Sequence, residues 1–165
     1  MSTENLAQLP QARLLIDGVW KSSSDPSNIF LVRHPQTLKT VCTAVSASAD
    51  DVQEAISAAH RAFPLWESTP PSVRRQIFLK AADILETPEY KARLKEWVCK
   101  ETGAGEEWGT FNGFVCNRAF REAATLASNF RGQVVNSETP GVTFMVKRRP
   151  IGVVNTHRSI ECLFI

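Results

Sequence analysis

The sequence predicts an α/β fold with hairpins at the front, four helices in the middle and extended chain at the end. Three observations carry this. Asp17-Gly18 stands between apolar flanks in "RLLIDGVWKS", a tight-hairpin signal. From Ser48 to about Phe130, apolar residues recur at helical spacing in four runs broken by proline or glycine. After that, "SETPGVTFMVKRRPIGVV" returns to β-branched and aromatic residues. Helices that flank strands usually cover a sheet. Here the only stretch written as an interior strand is 151–154, so the sheet they would cover is expected to be incomplete.

The elements follow in order. Residues 1–12 are polar and are expected to be disordered. Asp17-Gly18 supplies the positive φ angles of a type I′ turn. In "IFLVRHPQTLKTVCTAV", Phe30 and Val32 alternate on one strand, Pro35-Gln36-Thr37 turns, and Val41 to Val45 returns. Ser48 caps a first helix, with Asp50 and Asp51 complementing its dipole. Val52, Ala55, Ile56, Ala59, Ala62 and Phe63 form its apolar face, and Pro64 is expected to stop it. Pro70-Pro71 opens a second helix with Val73, Ile77, Ala81, Ile84 and Leu85 on one side. Thr87-Pro88-Glu89 opens a third, carrying Leu94, Trp97 and Val98, and Gly103 suits its left-handed exit. A fourth runs from about Glu106 to Phe130, with Phe111, Val115, Ala119, Ala123, Leu126 and Phe130 as its stripe. Pro140-Gly141 is a turn, and Val142, Phe144, Val146 and Arg148 share one side of the strand after it.

Composition excludes several classes. Hydrophobic content of 43% with 22% charged residues fits a soluble globular chain. A net charge of +2 with scattered basic residues argues against a nucleic-acid partner. The one cluster, Lys147-Arg148-Arg149, reads as a solvated strand edge. No run approaches the ~20 apolar residues of a membrane span, and Glu4 interrupts any secretory leader. Cys42, Cys99, Cys116 and Cys162 show no paired spacing, and with three scattered histidines no metal pattern emerges. Reduced thiols and a cytoplasmic location are expected.

With these elements in place, "LLIDGVWKSS", "HPQTLKTVCTAVSASADDVQEAISAAHRAFPLWESTPPSVRRQIFLKAADILE", "ETGAGEEWG" and "RRPIGVV" resemble, in fixed order, the N-terminal portion of the aldehyde dehydrogenase superfamily. Ile16-Asp17-Gly18-Val19-Trp20 matches the family's opening hairpin. His34-Pro35-Gln36-Thr37 matches its Asn-Pro-x-Thr turn, with histidine in place of asparagine. "DDVQEAISAAHRAFPLW" matches its first long helix, and Glu101-Thr102-Gly103 ends the third helix as in the family. The likeness spans about residues 14–154, so the domain reading is a partial N-terminal domain over 13–154 and a divergent tail over 155–165. The segment 137–154 most resembles members acting on aromatic aldehydes such as salicylaldehyde or vanillin.

The resemblance implies an incomplete Rossmann-type cofactor domain and a family reaction, NAD(P)-dependent oxidation of an aldehyde to the carboxylic acid. It also implies that the reacting groups lie beyond this chain. The family's Pro-Trp-Asn motif is missing after Val154, and Asn155 does not take over that asparagine's role. The nucleophilic cysteine, general-base glutamate, ribose-binding lysine and glycine-rich phosphate turn are expected further on. No catalytic, cofactor-binding or metal-binding residue is therefore assigned, no NAD or NADP is expected to bind here, and the chain reads as a truncated, inactive member. In relatives the extended strand contributes to subunit association. Residues 142–149 are thus the expected surface for self-association or for pairing with a full-length dehydrogenase.

Other groups that could carry chemistry have plainer readings. His157, Glu161 and Cys162 lie close together, but a Cys–His pair needs a rigid frame that a short tail lacks. Cys42, Cys99 and Cys116 read as inert thiols. His34 and His60 stand apart from any acid partner in sequence. Gly103 and Gly105 follow a helix, whereas a dinucleotide turn follows a strand. Trp20, Trp66, Trp97 and Trp108 read as packing anchors.

Overall fold

The computed structural model describes residues 8–22 and 27–154. Residues 155–165, expected to be a divergent tail, and with them His157, Glu161 and Cys162, lie outside the described residues, as do residues 1–7. The fold is mixed α/β, with small sheets at both ends and four helices between them. Strand β1 is Gln11–Ala12, β2 is Leu14–Ile16 and β3 is Val19–Lys21; β4 is Ile29–Arg33 and β5 is Thr40–Val45. The helices are α1 (Ala49–Ser68), α2 (Pro71–Leu85), α3 (Pro88–Thr102) and α4 (Glu106–Asn129), followed by β6 (Gln133–Asn136) and β7 (Thr143–Val146).

The Asp17-Gly18 turn forms as the sequence requires. Both residues take positive φ, 54° and 75°, and Ile16 pairs directly with Val19 across the two-residue loop. The second hairpin, β4–β5, is also antiparallel. Its turn needs Leu38 at φ 57°, a left-handed conformation that nothing about a leucine foretells. Two residues of the segment 1–12, expected to be disordered, are ordered in a strand. Gln11 and Ala12 form a parallel pairing with Thr43 and Ala44, giving a sheet ordered β1-β5-β4. The backbone groups of β5's open edge account for this, since a short polar segment meets them as well as an apolar one.

Helix α1 begins as predicted. The Ser48 hydroxyl accepts from the Asp51 N–H at 3.2 Å, and the Asp51 carboxylate accepts the Ser48 N–H at 2.8 Å. Pro64, however, does not stop it, and the helix runs on to Ser68. A proline removes one donor and crowds the carbonyl four residues back, but it does not prevent the next residues from bonding. Helix α2 starts at Pro71, and α3 is capped by the Thr87 hydroxyl and leaves through Gly103 at φ 70°.

Helices α2 and α3 both pack on α4. The crossing is close because small residues line it. A side chain at Gly109 would start 2.9 Å from Lys95 Cγ and 3.0 Å from the Lys95 carbonyl oxygen. Ala82 and Ala124 are fully buried, and the Phe78 and Phe120 rings meet at 6.3 Å. Asn117 is buried in this seam. Its Nδ2 donates to the Ala82 carbonyl at 2.6 Å and its Oδ1 accepts from Arg121 Nε at 3.0 Å, while Arg121 also pairs with Asp83. Helix α1 packs against β2, with Arg61 pairing with Asp17 at 3.1 Å and Lys21 pairing with Glu54.

Many of the larger apolar side chains face outward instead. On α1, Val52 and Ile56 are exposed; on α2, Val73, Ile77 and Ile84 are; on α4, Phe111, Val115 and Leu126 are, as is Phe130 just past its end. These nine are among the twenty residues that the periodicity marks as core-facing stripes. Trp20, Trp66 and Trp108 are also exposed, so three of the four expected packing anchors are only partly covered within the described chain, Trp108 by the Phe111 ring at 5.4 Å. Residues 151–154 pair with no strand among the described residues, and Ile151 is 91% exposed.

Candidate functional site

Residues 142–149 lie in a hairpin that the sequence only half disclosed. Gly141 at φ 80° and a set of local bonds close its loop: the Ser137 N–H donates to the Val142 carbonyl, the Val142 N–H to the Thr139 carbonyl, and the Thr139 N–H to the Ser137 hydroxyl. β7 then pairs antiparallel with β6, a strand that pattern reading missed. Val134 opposes Met145 on one face and Val135 opposes Phe144 on the other. Both faces are therefore apolar, and both are open: Val134 is 68% exposed, Met145 79% and Phe144 57%. A two-stranded hairpin is marginal in water without a covering surface.

The hairpin's open end is fitted closely. A side chain at Gly132 would start 2.3 Å from the Val146 carbonyl oxygen, so only glycine lets the chain pass there. Arg148 Nε donates to the Arg131 carbonyl at 3.3 Å, and its guanidinium lies 5.5 Å from the Phe130 ring centre. The basic run thus folds back across the base of the hairpin. Within the described residues, β6 and β7 form a sheet of two strands, and the outer edge of β7 carries no further one.

The cysteines and histidines lie elsewhere. Cys42 is buried on β5, close enough to Glu101 at the end of α3 to feel its charge. Burial pushes its thiol above the ordinary 9.0, and Glu101 pushes it further the same way. A nucleophilic thiol needs the opposite setting, with positive charge nearby and some exposure. Burial also raises the carboxyl of Glu101 itself. The Cys99 thiol donates to the Gly105 carbonyl at 3.5 Å, and Cys116 is half-buried on α4. His34 has a local role: its Nδ1 accepts from the Gln36 and Thr37 N–H groups at 3.3 and 3.4 Å. It holds the turn as an asparagine side chain would there. His60 is exposed on α1. Among the described residues, no three His, Cys, Asp or Glu side chains gather to hold a metal ion.

A dinucleotide phosphate fits poorly on these residues. It wants a glycine-rich turn leading from a strand into a helix N-terminus. Among the described residues β5 to α1 is the strand-to-helix junction, through Ser46-Ala47-Ser48, and one of its first-turn donors, the Asp51 N–H, already serves the Ser48–Asp51 box. Asp50 and Asp51 would repel a phosphate there. Gly103 and Gly105 connect helix to helix, and Gly103 is enclosed by Pro35 and Gln36. No step is therefore derived through a cofactor on these residues. No helix among them is long and apolar enough to cross a membrane.

Comparison with known proteins gives this architecture its setting. A profile of the aldehyde dehydrogenase family matches residues 20–156. The vanillin dehydrogenase of Pseudomonas sp. strain HR199 is 39% identical over 143 residues, covering 86% of this chain and 28% of that protein. The salicylaldehyde dehydrogenase of Pseudomonas sp. strain C18 is 32% identical over 144 residues, covering 87% of this chain and 29% of that one. Among solved structures, a salicylaldehyde dehydrogenase from Pseudomonas putida G7 complexed with salicylaldehyde superposes with a TM-score of 0.79 at 31% identity, over 86% of this chain and 29% of that one. Solved relatives also include an NAD-dependent benzaldehyde dehydrogenase and an enzyme in complex with nicotinamide adenine dinucleotide. The chain spans somewhat under a third of the length of the relatives it matches. In fold, motif order and sequence it corresponds to their N-terminal part, and the chain belongs to the aldehyde dehydrogenase family.

Proposed function

We propose that this chain is the N-terminal part of an NAD(P)-dependent dehydrogenase that oxidises an aromatic aldehyde to its carboxylic acid. The supporting observation is the continuous match, 39% over 143 residues, to a vanillin dehydrogenase. Exposed apolar faces on α1, α2 and α4 agree with helices shaped to cover further structure. The residues that would grip NAD or NADP, and those that would attack the aldehyde, belong to the remaining length of such an enzyme. Alone, the chain is expected to turn over no aldehyde. The direct test joins residues 1–154 to the remainder of a vanillin dehydrogenase and follows formation of reduced nicotinamide with vanillin, salicylaldehyde and a short aliphatic aldehyde. Preference for the aromatic substrates supports the reading, and activity confined to the aliphatic one overturns its substrate class. Turnover by residues 1–165 without any added part would overturn the inactivity. The free thiols of Cys42, Cys99 and Cys116 favour a cytoplasmic location.

Residues 142–149 are proposed as the association surface of this chain, either with a second copy or with a full-length dehydrogenase. Support comes from the open edge of β7 and from apolar residues on both faces of its hairpin. Sedimentation of the chain alone, and co-purification with a full-length relative, separate the two partners. Substitution M145K should weaken whichever association is observed. Association that is unchanged by both M145K and F144K would remove the hairpin from consideration.

A further inference from the structure

No further inference is drawn: the strongest candidate, the β6–β7 hairpin with Val134, Val135, Phe144 and Met145 exposed on its two faces, is an unpartnered apolar surface, and nothing in the structure shows what covers it beyond the association already proposed.

Discussion

Two glutamates near the α3–α4 junction respond to pH with opposite sign. Burial raises the carboxyl of Glu101 above its ordinary 4.5, so ionising it costs more in the folded chain than in the unfolded one. That deficit is absent below 4.5 and complete above the raised folded-state value. Glu106 is lowered from 4.5 by its hydrogen bond to Lys95 at 2.7 Å, so it contributes stability above that value and loses it on acidification. Glu101→Gln should therefore raise the melting temperature at neutral pH and leave it unchanged in acid. Glu106→Gln should lower it at neutral pH and also become neutral in acid. Melting curves by circular dichroism at several pH values check both signs at once. Asn117→Ala should cost about 1–3 kcal/mol, because it removes a buried amide bonded to both α2 and Arg121. Denaturant titration measures that loss. Asp17-Gly18 and Ser48 were legible because each carries its own backbone chemistry. Asn117 was not, since a polar residue inside a helical stripe looks the same whether it seals a seam or faces water.

At the scale of elements, sequence spacing located all four helices but misjudged the contact face of α4. Large apolar residues drew the stripe through Phe111, Val115 and Leu126, whereas α4 packs through Gly109, Asn117 and Ala124. Helix axes come closest where side chains are smallest, and hydrophobicity alone does not register that. Strand β6 escaped notice because Gln133–Asn136 is too short to show a period. β1 escaped because its place depends on a partner thirty residues on. Pro64 looked like a stop signal, yet α1 passes through it at the cost of one bond. Pro64→Ala should then strengthen α1 by up to about 3 kcal/mol, the usual handicap of proline inside a helix. Slower amide exchange across residues 60–68 would report it; unchanged exchange would mean that the carbonyls there are satisfied in some other way.

For the whole molecule, family membership was legible from five motifs in order, while the outward-facing apolar residues on its helices were not. Among the described residues the buried apolar set consists of Ile16, Cys42, Val45, Ala58, Ala82, Leu85, Val98 and Ala124, mostly small side chains, and phenylalanines and tryptophans stay outside it. A fluorescent dye that lights up on apolar surface should bind the isolated chain strongly and lose that signal in the chimera carrying a vanillin dehydrogenase remainder. Equal dye binding by both would show that these faces are not covered on completion. The bridges from α1 to the first hairpin, the exposed Arg61–Asp17 and the half-exposed Lys21–Glu54, are surface pairs, each worth about 0–1 kcal/mol and fading as electrolyte is added. Raising sodium chloride should consequently loosen the first helix's hold on the hairpin by no more than about 2 kcal/mol in total, so the ionic medium trims this contact without undoing it.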